Sequence, residues 1–320
     1  MGKATRAAAD FTMVATFVVE ALLDWAVRRL IVNADDFGVT PGVNRAIVEA
    51  NQRGIVTSAT MMATGPAFDD AADQARTLAQ RSACFSVGCH VVLVDGTPLL
   101  PPERISSLAT RKSGVAQFRD TLNDFALAAL TGKVNAREIE AEAAAQIARI
   151  RQAGVVPSHV DTHKHAHMFP AVLRALLRAA KACGVGAVRN PFGPGMSLPV
   201  SRMIGDFNLS KRLAQMIVLR SFASGFRREV AREGMRTTDG ALGVLETGIL
   251  DAELFAGIAA NIPEGTWEFV CHPGYNDADL GQVRTRLRAS RLQELDLLTS
   301  PEAKEALERR GVELISYREL

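Results

Sequence analysis

Short β-rich segments alternate with helical segments along almost the whole chain, and this order constrains the fold more than any other feature. The first example is RLIVNA (29–34), followed by a helix that Pro41 opens and by the β-rich run 55–62. A helix between two strands is typical of parallel βαβ units. The alternation therefore predicts an α/β fold, either a (β/α) barrel or an open doubly wound sheet.

The same alternation continues to the end of the chain. We expect further strands at 83–93, 157–162, 186–189, 243–246, 267–271 and 312–315. We expect helices at 41–51, 69–80, 117–130, 136–152, 171–183, 210–232, 252–260, 283–298 and 301–310. In the helix predicted at 283–298, the series Arg284, Arg286, Arg288 and Arg291 indicates a solvated face with salt bridges.

Residues 1–27 form a separate segment. Its longest uncharged run is 11–19, because Glu20 and Asp24 interrupt the apolar residues that follow. A membrane-spanning helix needs about 20 apolar residues, and no small-residue cleavage site of a signal peptide precedes Arg28. We predict an N-terminal extension, helical or poorly ordered, with no stable membrane span. An upstream extension of a native chain that starts near Val27 is the alternative.

Charge and motif content exclude several function classes. The chain has 37 Lys plus Arg and 35 Asp plus Glu, a formal charge of +2, which argues against a nucleic-acid partner bound through bulk charge. The first strand is followed by ADDFGVTPG rather than GxGxxG, and no GxxxxGK[ST] occurs, so dinucleotide and P-loop sites are disfavoured. The four cysteines form no CxxC pair, which indicates buried thiols in a cytoplasmic protein.

The six histidines mark the most informative positions. Four of them lie in SHVDTHKHAHMFP (158–170), and His90 and His272 lie at or near the ends of predicted strands. Asp35 and Asp36 directly follow the first strand. Because barrels and open α/β sheets carry their chemistry at the C-terminal ends of the strands, we expect these side chains to meet at one rim.

Two imidazoles and a carboxylate suit a divalent ion with open coordination positions. In an extended segment His163 and His165 share a face, whereas in a helix His163 and His167 do. Both pairings stay open. Each signal also has a plainer interpretation, such as a turn or helix cap for Asp35 and Asp36. The coincidence of all of them at predicted strand ends favours a catalytic metal site.

Several separated motifs resemble the YdjC-like carbohydrate deacetylases, which include chitooligosaccharide deacetylases and the hopanoid-associated HpnK group. The motifs are IVNADDFG (31–38), GIVTSAT (54–60), VGCHVVL (87–93), SHVDTHKHAHMFP (158–170), VCHPG (270–274), LQELDLLTSPE (292–302) and the ending GVELISYREL. The resemblance runs from about Arg28 to Leu320. It implies one domain over 28–320, a TIM-barrel-like (β/α) barrel, regular or incomplete, related to polysaccharide deacetylases.

The resemblance also implies a site. One divalent metal ion, Zn²⁺ or Mg²⁺, is expected on Asp36, His90 and His163, with Asp35 as the base and His272 as the general acid. Lys164 stands where many relatives carry histidine. Residues expected to orient a ligand or to contact the substrate are Asp161, His165, His167, Arg189 and Thr247, the last two because they follow predicted strands.

The implied activity is that of a hydrolase that removes the N-acetyl group from an acetylated amino sugar. The substrate is either a chito-oligosaccharide or a sugar on a lipid such as a glycosylated hopanoid. A homodimer is the commonest assembly of such chains. The alternatives are another metal-dependent amidase or phosphoesterase, and a non-catalytic metal-binding protein.

Overall fold

The computed structural model describes residues 27–81, 84–194 and 219–320. The described strands are β1 (Arg28–Phe37), β2 (Ser58–Met61), β3 (Ser86–Val91), β4 (Ala109–Lys112), β5 (Val115–Phe118), β6 (Val160–Thr162), β7 (Gly240–Leu242), β8 (Gly265–Cys271) and β9 (Val312–Leu314). Seven of them form a parallel sheet in the order β6-β3-β2-β1-β8-β7, with β9 also paired to β1. Strands β4 and β5 form a separate antiparallel hairpin.

Short contacts continue this sheet around into an irregular barrel. Val160 of β6 forms a parallel bridge with Val188, and Ala187 forms one with Arg236. Beyond them the Ala241 N–H of β7 donates to the Phe192 carbonyl oxygen. Segment 186–192 therefore lies between β6 and β7, where a regular strand was predicted at 186–189. The predicted (β/α) barrel is confirmed in its irregular form.

Helices surround the strands at most of the predicted positions. They are α1 (Pro41–Arg53), α2 (Phe68–Arg81), α3 (Leu122–Leu130), α4 (Ala136–Gln152), α5 (Pro170–Ala182), α6 (Ala223–Arg232), α7 (Ala252–Ala260), α8 (Ala278–Gln282), α9 (Ala289–Leu298) and α10 (Pro301–Arg309). Helix α1 shows why they form where they do. Pro41 occupies its first turn, and the Thr40 hydroxyl oxygen accepts from the Val43 N–H at 3.1 Å.

Three predicted elements differ from the structure. The helix predicted at 117–130 begins only at Leu122, because Ser113 and Gly114 adopt positive φ and turn the chain into the β4–β5 hairpin. The strand predicted at 243–246 is replaced by β7 at 240–242, since the positive φ of Gly243 ends the extended run. Only 289–298 of the helix predicted at 283–298 is helical, as α9, and 283–288 is an irregular segment between α8 and α9.

Two further predictions concern the N-terminus and the cysteines. Residues 1–26, and with them most of the predicted extension, lie outside the described residues, as do 210–218 of the helix predicted at 210–232. In the parts of the chain that the structure describes, every helix is too short or too polar to cross a membrane. Cys89 and Cys271 are buried as predicted, but Cys84 is exposed.

The N-terminal ends of the strands are closed by the end of the chain. Tyr317 is fully buried there, and its ring stacks on His159 with centroids 3.5 Å apart and planes 11° apart. Gly88 of β3 lies against the other side of this stack. A Cβ at Gly88 would stand 2.5 Å from Cε1 of His159. The glycine in VGCHVVL is therefore required by close packing.

We expect Gly88→Ala to lower the free energy of unfolding by about 1–3 kcal/mol, because overpacking forces a buried ring away from its partner. Gly257→Ala is the matched control. Among the described residues, no atom outside the neighbouring residues and the backbone of helix α7 lies within 4 Å of a Cβ at Gly257. Because alanine is the better helix former, this change should be stabilising. Urea unfolding of both variants measures the difference, and equal effects would contradict the packing argument.

Candidate active site and metal centre

Two carboxylates reach the rim from the end of β1. Adjacent residues of a regular strand point to opposite faces, but the register between β1 and β2 shifts between Ala34 and Phe37. Asp36 there has φ of 68°, a left-handed conformation that few residues other than glycine adopt. This irregularity lets Asp35 and Asp36 face the same group of histidines, and backbone strain of this kind is common at functional sites.

Asp36 meets two imidazoles from other strands. Its Oδ1 lies 3.7 Å from Nε2 of His90, at the end of β3, and 3.6 Å from Nδ1 of His163, directly after β6. The two histidine nitrogens lie 3.3 Å apart. The three side chains that the motifs nominated as metal ligands are therefore brought together by three separate strands.

The donor set and its spacing fit a divalent ion. Metal bonds of about 2.0–2.2 Å place neighbouring ligand atoms about 3–3.5 Å apart, close to the three separations here. A carboxylate fixes the ring of His90 on the side away from the cluster. Nδ1 of His90 donates to Oδ1 of Asp161 at 2.8 Å, and its Nε2 faces the cluster. A carboxylate behind a ligand histidine is the usual arrangement in metal sites.

The cluster is also built to hold positive charge. Burial alone would lower the pKa of His90, but the carboxylates of Asp161, Asp35 and Asp36 outweigh it and raise the pKa to about 9. Burial would raise the pKa of Asp36, yet the neighbouring Arg291 and His163 hold it well below the usual range. A negatively charged Asp36 is available to a cation at neutral pH.

Asp35 is held by a buried arginine. Nη1 and Nη2 of Arg189 donate to its two oxygens at 2.8 and 2.6 Å, and Arg189 also pairs with Asp161 and Glu268. Burial opposes ionisation of Asp35, but Arg189 and His90 lower its pKa well below the usual range. Of the two roles predicted for Arg189, its complete burial favours support of the site over substrate contact.

His272 lies on the other side of Asp35. Its Nε2 is 3.8 Å from Asp35 Oδ2, and its backbone N–H donates to Glu294 at 2.5 Å. Burial lowers the pKa of the His272 imidazole to about 4, against the opposing effect of the two aspartates. His272 is therefore a neutral imidazole beside the carboxylate at neutral pH.

The histidine run after β6 adopts neither of the two predicted geometries. It is a 3₁₀ turn over His163–Met168, kinked by positive φ at Lys164 and His165. His167 points away from the cluster, because its Nε2 donates to the Arg189 carbonyl oxygen and its Nδ1 pairs with the Thr162 hydroxyl. Among the described residues, His163 is the only histidine of this run whose ring nitrogen lies close enough to other candidate ligand atoms to share a metal ion with them.

Thr247 and Lys164 lie in segments that follow strands β7 and β6. The Thr247 hydroxyl donates within its own turn to the carbonyl oxygens of Gly243 and Val244, so its predicted contact with substrate remains a prediction. Nζ of Lys164 forms an ion pair with Asp95 at 2.5 Å. This pair links the turn that carries His163 to the segment after β3.

A family model described as YdjC-like protein matches residues 29–309. The chain belongs to the YdjC-like family. The resemblance that the separated sequence motifs indicated is therefore confirmed.

The similar YdjC-like proteins are matched along nearly their whole length. A carbohydrate deacetylase of Enterococcus faecalis is 29% identical, over 92% of this chain and 98% of the relative. A chitooligosaccharide deacetylase of Escherichia fergusonii is 31% identical, over 91% and 98%. A crystal structure from Enterococcus faecalis, described as a cellobiose-phosphate cleavage protein, has a TM-score of 0.69 and 28% identity, over 92% and 98%.

One supporting residue of this YdjC-like site was assigned wrongly from the sequence. Arg291 was predicted on a solvated helix face, but its side chain is only 2% exposed and Nη2 pairs with Oδ2 of Asp36. The available signal is its spacing, because Leu295 and Leu298, four and seven residues further on, place Arg291 on the apolar face of α9. Arg284, at 66% exposed, fits the solvated description.

We expect Arg291→Met to lower the free energy of unfolding by about 3–5 kcal/mol, because it leaves the buried carboxylate of Asp36 without its partner. Arg284→Met should cost less than about 1 kcal/mol, as exposed ion pairs do. Urea unfolding of the metal-free proteins compares the two, and similar losses would contradict the buried pairing.

Proposed function

We propose that the protein is a metal-dependent hydrolase that removes the acetyl group from an N-acetylated amino sugar. The observation that carries this proposal is the Asp36–His90–His163 cluster with Asp35 and His272 directly beside it. The names of the full-length relatives, carbohydrate deacetylase and chitooligosaccharide deacetylase, support the same substrate class.

Asp36, His90 and His163 would hold the ion. A divalent cation bound there polarises an acyl oxygen and makes water more acidic. Zinc accepts such a set of two imidazoles and one carboxylate, whereas magnesium prefers oxygen ligands. The donor set thus favours zinc among the two ions considered.

The chain's own groups supply the proton transfers. Asp35 accepts the proton of the attacking water, and Arg189 keeps this carboxylate ionised and fixed in orientation. His272, 3.8 Å from Asp35, takes over this proton from Asp35 and delivers it to the departing amine nitrogen, which returns Asp35 to its ionised form. The products are acetate and the free amino sugar. Asp161 keeps Nε2 of His90 directed at the cluster.

We further propose that residues 28–320 act as one catalytic domain. Arg291, on the next-to-last helix α9, pairs with Asp36 at the end of β1, and β9 pairs with the start of the same strand. The last 30 residues of the chain thus support the site whose two aspartates lie at the end of β1.

A panel of acetylated sugars, assayed for acetate release with metal content measured on the same sample, tests the proposal. We expect acetate from N-acetylglucosamine oligomers, about one divalent ion per chain, and loss of turnover with a chelator that is reversed by adding the ion back. An acetylated glycosylated hopanoid forms a second arm and identifies a lipid-linked substrate. Phosphate release from generic phosphoesters without acetate release would contradict the proposal.

A further inference from the structure

The last residues of the chain enter the N-terminal end of the barrel, opposite the rim that carries the metal cluster. The Ile315 N–H donates to the Leu30 carbonyl oxygen at 3.0 Å. The Tyr317 N–H donates to the hydroxyl oxygens of Ser58 and Ser86 at 3.3 and 3.2 Å. These bonds fix the depth at which the Tyr317 ring is inserted.

From Tyr317 a continuous line of buried polar groups leads to the catalytic rim. Its hydroxyl donates to Oε2 of Glu268 at 2.5 Å, and Oε1 of Glu268 accepts from Nε of Arg189 at 2.8 Å. The same guanidinium donates through both Nη atoms to Asp35. All four side chains are almost completely buried.

Glu268 has one oxygen for each neighbour, so the Tyr317 hydroxyl determines which oxygen remains for Arg189. Arg189 in turn forms ion pairs with three carboxylates, those of Asp35, Asp161 and Glu268. Without the Tyr317 hydroxyl, Glu268 would be held only through Oε1, which contacts Nε and Nη2 of Arg189, so its carboxylate could turn about that oxygen and shift the guanidinium. Misplacement of a catalytic group by a fraction of an ångström is enough to slow a reaction.

We propose that Tyr317 is a positioning residue for Asp35 and acts through Glu268 and Arg189. The inference rests on the proposed deacetylase function, in which Asp35 is the base. It assigns to the C-terminal segment a role in turnover beyond closing the barrel.

Tyr317→Phe tests the inference because it keeps the ring stacked on His159 and removes only the hydroxyl. We expect kcat to fall about tenfold, with KM and metal content within twofold of the wild type. Ser316→Ala is the control. It removes the hydrogen bond that the Ser316 hydroxyl donates to Glu319 and the one that it accepts from the Arg318 N–H, and it leaves the Tyr317 hydroxyl in place. Wild-type kcat in Tyr317→Phe, or an equal loss in Ser316→Ala, would overturn the inference.

A second measurement needs neither substrate nor metal. Hydrogen exchange at Nε of Arg189, followed by NMR, should be at least tenfold faster in Tyr317→Phe and unchanged in Ser316→Ala. If the wild type released no acetate from any sugar, the proposed deacetylase function would fail. The exchange rate would still show whether the Tyr317 hydroxyl holds Arg189 in place. An unchanged rate in Tyr317→Phe would show that the hydroxyl does not hold Arg189.

Discussion

Asp35→Asn should lower kcat by about 10³-fold while the protein retains its metal. The amide has nearly the shape of the carboxylate but cannot accept the proton of the attacking water, and general bases commonly contribute 10²–10⁴-fold. Asp36, His90 and His163 are unchanged in this variant, so the ion should stay bound. Acetate release and metal content, measured on the same preparation, check both halves of the expectation.

Asp73→Asn is a matched control for this change. Asp73 lies on helix α2, is 70% exposed and pairs with Arg76 on the surface. The same loss of one carboxylate charge there should leave kcat within twofold. An Asp35→Asn enzyme with more than about a tenth of wild-type turnover would remove Asp35 from the role of base.

His163→Ala should weaken metal binding by at least about 100-fold. Loss of residues that merely support metal ligands costs 10–100-fold, and His163 is proposed as a ligand itself. Its side chain is 21% exposed, so its removal should leave the metal-free protein nearly as stable as the wild type. The stabilisation that added metal gives the wild type should disappear. Titration with zinc and thermal unfolding with and without the ion measure these effects.

His165→Ala separates this prediction from a general effect of the histidine run. His165 lies two residues further along the same turn but outside the Asp36–His90–His163 cluster. The His165→Ala variant should bind the ion with an affinity close to that of the wild type. If His165→Ala lost the metal and His163→Ala kept it, the proposed ligand set would be wrong.

The fold could be predicted from the sequence where local signals agree with the tertiary structure. Pro41 located the start of α1, and the β-rich run 29–34 located β1, whose side chains are buried from Leu30 onward as a central strand requires. The β4–β5 hairpin was missed because Val115–Phe118 runs directly into a helical pattern. A two-residue turn at Ser113 and Gly114 is a weak signal beside that pattern.

The rim of the candidate site could be predicted from residue type and strand-end position, and its ligand set from the family resemblance, but most of its supporting contacts could not. Asp36, His90 and His163 lie where parallel strands end, so the fold class alone brings them to one rim. Glu268 and Arg189 lie 79 residues apart in the sequence and meet only in the folded barrel, where Nε of Arg189 donates to Oε1 of Glu268. The one signal for Glu268 is a lone acid within the apolar strand TWEFVC. Arg189 was expected at the rim because it follows a predicted strand, but nothing in the sequence indicates its pairing with Glu268.

The pairing of β1 with β8 and β9 also has a consequence for biosynthesis. Arg28 is among the first described residues to leave the ribosome, yet its strand partners Gly265 and Val312 are made more than 200 residues later. At about 5–20 residues per second, the edge of β1 that pairs with β8 and the part of its other edge that pairs with β9 stay unpaired for roughly 10–60 s. During this interval the nascent chain exposes unpaired edges of an apolar strand, so productive synthesis in the cell should depend on chaperones that shield them until translation ends.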